Sequence, residues 1–240
     1  EIDEIISEFK KLILADKPEE RIRELIKSVG PIGYVMITFH KGKVIMRARP
    51  NDGNKRFKKR SDFSHKPAAM NTTFQRASTP YQTMFYGTVI PDNVEKGELD
   101  NMRIIGITES LPMMRDKTLS GYKKISFGKW VVEDDITLIA IVHKDSYQEH
   151  SNYTRELVNS YQGFINEYPK EVIERSMKFQ TFLSDEFSKE NISDHSDYMI
   201  SAIFSEFVSK HKQFDGVLYP SVRADGRYFN IAINPDVENT

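Results

Sequence analysis

Phe214-Asp215-Gly216-Val217-Leu218-Tyr219-Pro220-Ser221, followed by Tyr228-Phe229-Asn230-Ile231-Ala232-Ile233-Asn234-Pro235, reads as a turn, a short buried strand, a serine held after proline, and a second strand. Runs of the same β-branched and aromatic texture recur upstream at 34–39, 44–47, 83–89, 103–108, 125–130 and 136–142. Between them and the closing pair, helical spacing takes over at 153–168, 171–186 and 196–210. In the last of these, Met199, Ile200, Ile203, Phe204, Phe207 and Val208 form one apolar stripe. Strands first, an insertion of helices and two closing strands predict an α+β fold with a twisted β core.

Ahead of this lies a helical prefix. Ile2, Ile5, Ile6, Phe9, Leu12 and Ile13 recur at helical spacing. A second helix begins after Asp16 with Pro18 and two glutamates in its first turn, carries Ile22, Leu25, Ile26 and Val29, and stops at Gly30. The organisation expected is a prefix over 1–30 and a main domain over 31–240. The chain opens on Glu1 rather than Met, which predicts a processed or excised product with residues upstream.

Composition narrows the function classes. The 34 Lys and Arg against 35 Asp and Glu leave no global field for nucleic acid or an anionic membrane, so any anion site is local. The basic run Lys55-Arg56-Phe57-Lys58-Lys59-Arg60 follows turn chemistry and reads as a solvated loop, with nucleic-acid or partner binding as its alternative. Zero cysteines remove disulfides, a Cys-ligated zinc site and a thiol nucleophile, and fit a reducing cytoplasm. No apolar run approaches the roughly 20 residues that span a bilayer. The six histidines are scattered without a metal-ligand spacing, so no metal is expected, and no glycine-rich phosphate loop follows a strand. Trp130 is expected in the core.

Polar residues gather at predicted strand ends. Arg47 and Arg49 are separated by one position, so period-2 alternation sends both to one face, where two planar guanidiniums suit phosphate oxygens. Arg76 precedes a Ser-Thr-Pro turn at a loop rim, and Tyr86 follows Thr83-Met84-Phe85. Glu109 closes the predicted strand 103–108, and Glu95 and Glu98 in the polar stretch before it are the alternative acidic residues.

Taken in order, Arg76-Ala77-Ser78-Thr79-Pro80, Met84-Phe85-Tyr86-Gly87, Tyr219-Pro220-Ser221 and the Asn230 strand ending in Asn234-Pro235 resemble the RES domain. Gln75 stands where that family often has glycine. The resemblance covers roughly Val44 to Pro235. It implies an ADP-ribosyltransferase-like fold, NAD as substrate with inorganic phosphate as a possible co-substrate, and cleavage of the nicotinamide–ribose bond by phosphorolysis or hydrolysis. It further implies a cytoplasmic toxin held silent by a protein antitoxin. On this reading Arg47, Arg49 and Arg76 hold phosphates, Tyr86 packs on the nicotinamide half, Glu109 faces the developing positive charge, and Ser221 with Asn230 orients the ribose. Two rival readings stay open: transfer of ADP-ribose to a macromolecule, and a non-enzymatic binding protein.

Overall fold

Two central strands, β6 (Gly216–Pro220) and β7 (Phe229–Ile233), are buried on both faces, and every residue in them is covered. That is why both read as continuous apolar runs rather than as alternating patterns. The structure is a computed structural model that describes residues 1–51, 53, 56–90, 98–110 and 120–238, and only the backbone of Glu98, Asn101, Ile105, Glu109, Ser110, His150 and Glu238.

Around that pair the remaining strands are β1 (Met36–Phe39), β2 (Val44–Pro50), β3 (Phe85–Val89), β4 (Ile125–Val131) and β5 (Ile136–Ala140). Together they make one seven-stranded sheet in the order β1-β5-β6-β7-β3-β2-β4. Among the described residues only the β5–β6 pairing is parallel. The crossover between those two strands carries the helices α4 (Asp145–His150), α5 (Asn152–Ile165), α6 (Lys170–Phe187) and α7 (Met199–Ser209), as a parallel pair requires. The α+β class is thus the observed one, with a mixed sheet.

Alternation along the central strands feeds two cores. Val217, Tyr219, Ile139 and Ala232 join one, packed under α6, α7 and the prefix helices α1 (Ile2–Lys11) and α2 (Glu19–Ser28). Leu218, Leu138, Ile231 and Ile233 join the other, packed under Val158, Tyr161 and Ile165 of α5. The prefix is held in the first core by Phe9, whose ring lies 5.0 Å from that of Phe182 and 6.5 Å from that of Phe179. Burying one such side chain contributes about 1.5–3 kcal/mol. An ion pair at 2.9 Å between Arg23 of α2 and the largely buried Glu206 of α7 adds direction to this docking.

One predicted strand is corrected. Residues 103–108 belong to a helix, α3 (Glu98–Ser110). Ile104, Ile105 and Ile107 gave the segment its β-branched look, but Met102 and Gly106 are spaced four apart and both are buried, which is helical periodicity. Gly106 lets the helix approach β2 closely: a Cβ added there would lie 3.2 Å from that of Ala48. Tertiary packing has overridden a weak propensity. The short helix α4 leaves no periodic signal in the sequence, since it has only six residues. A last turn, α8 (Pro235–Glu238), follows β7.

Candidate functional site

The carboxyl ends of the parallel strands β5 and β6 lie at the edge of the sheet where the loop 221–228 begins. Ser221 is fully buried. Its N–H donates to the Tyr228 carbonyl at 2.7 Å, and its own carbonyl accepts from Ala224 at 3.2 Å and Gly226 at 3.0 Å. Asp225 and Gly226 turn the chain with positive φ. Glycine is needed at 226 because a Cβ there would stand 2.5 Å from the Tyr147 ring. Tyr147 itself is buried.

On the paired strands, Tyr219 faces Asn230, and Asn230 faces Thr88. The Thr88 hydroxyl donates to the Asn230 Oδ1 at 3.1 Å. Tyr86 lies two residues before Thr88 and therefore on the same face. Its hydroxyl shares a hydrogen bond of 2.7 Å with Ser78 Oγ and accepts from the Ala77 N–H at 3.2 Å. Burial pushes its pKa up to about 12, partly offset by those two bonds and by the charges of Arg47 and Arg76. It is a protonated phenol at neutral pH.

Arg76 stands at the loop rim expected of it, but its guanidinium is turned to the end of α6. It donates to the carbonyl of Phe187 and, at 3.1 Å, to that of Lys189, and it lies 4.9 Å from the Tyr198 ring. A cation there satisfies carbonyls that a helix leaves unpaired at its carboxyl end and opposes their partial negative charge. Phe187 in turn meets Tyr219, with ring centroids 5.5 Å apart. Arg76, Tyr86, Tyr219–Ser221 and Asn230 thereby form one contiguous region on the first-core side of the sheet.

The arginine pair is distributed otherwise. Arg47 and Arg49 do share a face of β2, while Ala48 leaves the other toward α3. Ile45 pairs with Val89 near the loop edge, so β2 runs away from Ser221 and Arg49 is farther from it than Arg47. That face is the second-core one, shared with Ile45 and opposite Tyr86, so the two arginines do not join the Tyr86 region: Arg47 donates only to the Tyr86 backbone carbonyl, at 2.8 Å, with its guanidinium 5.0 Å over the Phe85 ring. Arg49 donates to the Asp62 carbonyl at 2.6 Å and lies 4.9 Å over the Phe57 ring. It fastens the basic loop to the sheet, and in that loop Lys58, Lys59 and Arg60 are exposed, as a solvated loop should be. Lys55 lies outside the described residues.

Glu109 is in the last turn of α3, not at the end of a strand. Arg103 lies 6.0 Å from the Phe127 ring on β4, and Gly106 meets Ala48 on β2. From amino to carboxyl end the helix therefore travels toward β3, and it also packs against β3 and the turn 222–224 that follows Ser221. Glu98 begins the same helix, eleven residues earlier, and is about 16 Å away along its axis. Glu95 lies outside the described residues.

Three side chains beside this region carried no sequence signal. Lys144 Nζ donates to Ser188 Oγ at 2.6 Å and lies 5.1 Å from the Tyr147 ring. Burial raises the Tyr147 pKa, with Glu190 pushing the same way and Arg76 opposing. His143 is 2% exposed, and neither ring nitrogen has a hydrogen-bond partner among the described residues. Its ring meets Tyr161 edge-on at 5.3 Å. No group of His, Asp and Glu with metal-binding geometry occurs among the described residues. No helix among them is long and apolar enough to cross a membrane.

The state of His143 has a measurable consequence. Burial holds its pKa down at about 4, against an ordinary 6.5, although Asp145 pulls upward. Between those values the unfolded chain binds a proton that the folded protein refuses, so stability falls as the pH drops through this window and levels off below it. At pH 4.5 the loss is about 2–3 kcal/mol. Urea unfolding at pH 7 and pH 4.5 should show a larger drop for the parent than for His143→Leu. Equal drops would mean that this imidazole is not buried as described.

No family model, curated protein sequence or solved structure matches the chain.

Proposed function

We propose that this protein degrades NAD by cleaving the nicotinamide–ribose bond, with water or inorganic phosphate as the acceptor, on an ADP-ribosyltransferase-like core. The observation that carries the reading is the convergence of Arg76, Tyr86, Ser221 and Asn230, drawn from four separated stretches, on the side of the sheet against which α3 packs. The resemblance stated from sequence named these residues, and their adjacency supports it.

The chemistry suits the groups available. Nicotinamide leaves a cationic pyridinium as a neutral molecule, so no strong acid is required, and neither histidine nor cysteine is needed. The ribose acquires oxocarbenium character, which a carboxylate stabilises when it is fixed in advance. Glu109 supplies that carboxylate. Tyr86 offers an aromatic face and a neutral phenol, Asn230 and Ser221 orient the ribose, and Arg47, from the opposite face of the sheet, braces β3 through the Tyr86 backbone carbonyl. Arg76 acts as a positioning residue that ties the end of α6 to the Tyr86–Ser78 pair, and Arg49 holds the 56–63 loop. The cytoplasm as the site of action and a neutralising protein partner belong to the same proposal.

Incubation with NAD labelled in its adenylate half tests the reaction class. Label in a small product, ADP-ribose or its phosphorylated equivalent, is the expected result. Label retained on protein or nucleic acid would replace degradation by transfer. Intact NAD would leave the binding-protein reading, whose mark is affinity for nucleic acid that falls steeply with salt.

A further inference from the structure

On the sheet face opposite the proposed NAD site lies a cavity of about 640 Å³, a volume that takes a small organic molecule. Neither Tyr86, Ser221, Asn230 nor any of Arg47, Arg49 and Arg76 lines it. Its floor is Ile45, Phe85, Ile136 and Ile233, all buried members of the second core. Phe63 and Trp130 form its walls, with Trp130 edge-on to Phe85 at 5.0 Å.

The rim is predominantly acidic. Asp135 pairs with His40 at 2.8 Å, and Asp215 accepts the Thr137 N–H at 2.7 Å, so both are committed to the fold. Glu133, Asp134 and Asp236 also line the cavity, are exposed, and have no cationic partner among the described residues. Against them stand Arg60 at the rim and the Arg47 guanidinium behind the floor, 5.0 Å from the Phe85 ring, while Lys129 alternates with Trp130 and points to the other face of the sheet. Arg60 is exposed, yet its guanidinium is parked 5.0 Å over the Trp130 ring. The indole face is thus already occupied by a cation from a surface loop, the electrostatic match an aromatic quadrupole favours.

We propose that this cavity binds a small organic cation with an aromatic or apolar body. The body rests on Phe85 and Phe63. The positive charge takes the place of the Arg60 guanidinium at Trp130, within reach of the rim carboxylates. Shape and charge agree on this occupant: an apolar floor excludes a hydrated metal ion, and the unpaired carboxylates repel an organic anion.

Trp130 is the only tryptophan in the chain, so its fluorescence reports on this cavity directly. Titration with benzyltrimethylammonium should give a saturable change, benzyl alcohol a much weaker one and benzoate none. The double variant Asp134→Asn with Asp236→Asn should bind about tenfold more weakly at low salt. Arg60→Ala should bind more tightly, because it removes the internal competitor. The proposal fails if folded protein gives no saturable change, if benzyl alcohol or benzoate matches the cation, or if the carboxylate variant binds like the parent. Its outcome is independent of NAD cleavage, since the two sites share no residue.

Discussion

Glu109→Ala should lower the rate of nicotinamide release by about 10²–10³-fold, the usual cost of removing one preorganised charge from a reacting centre, while the unfolding midpoint stays close to that of the parent. The expectation that folding survives comes from the helix itself. A carboxylate in the last turn of α3 opposes the helix dipole, a disadvantage of about 0.3–1 kcal/mol that its removal relieves. Glu98→Ala separates the two ends of α3. With Glu109 as the acidic group the Glu98 variant keeps its activity, and the opposite pattern would move the assignment to the helix start.

The largest expected effect on stability is Gly216→Ala. Gly216 lies between two strands, paired with Leu138 of β5 and Ile233 of β7. A Cβ at this position would stand 2.1 Å from the Ala232 carbonyl oxygen and 2.9 Å from the Ile233 Cα. Both are backbone atoms of a central strand, so relief requires breaking the β6–β7 register rather than rotating a side chain. The loss should exceed about 3 kcal/mol, a large share of the 5–15 kcal/mol that typically holds a domain. Gly42→Ala is the control: its φ is +96° but nothing lies within 4 Å of the added methyl, so only backbone strain of about 1 kcal/mol remains. Urea unfolding compares the two. Equal midpoints for Gly216→Ala and the parent would refute the register.

The parts of the fold legible in the sequence were those whose burial is simple. β6 and β7 announced themselves because both faces are covered, and α7 because its apolar stripe is continuous. α3 is hidden in the sequence for the opposite reason: Ile104, Ile105 and Ile107 favour a strand locally, while the close approach of Gly106 to Ala48 is a tertiary contact that no local pattern reveals. In the candidate site, the adjacency of Tyr219, Ser221 and Asn230 follows from a hairpin that sequence does reveal. The orientation of Arg76 does not, because its partners are carbonyls 111 and 113 residues away. His143, Lys144 and Tyr147 were invisible because nothing about residue type or spacing tells where the crossover after β5 folds back.

The most direct measurement is proton NMR of NAD incubated with the protein, with and without inorganic phosphate. Free nicotinamide appearing in step with NAD loss, and lost in Glu109→Ala, is the predicted result. NAD that stays intact under both conditions, beside protein shown to be folded, would contradict it.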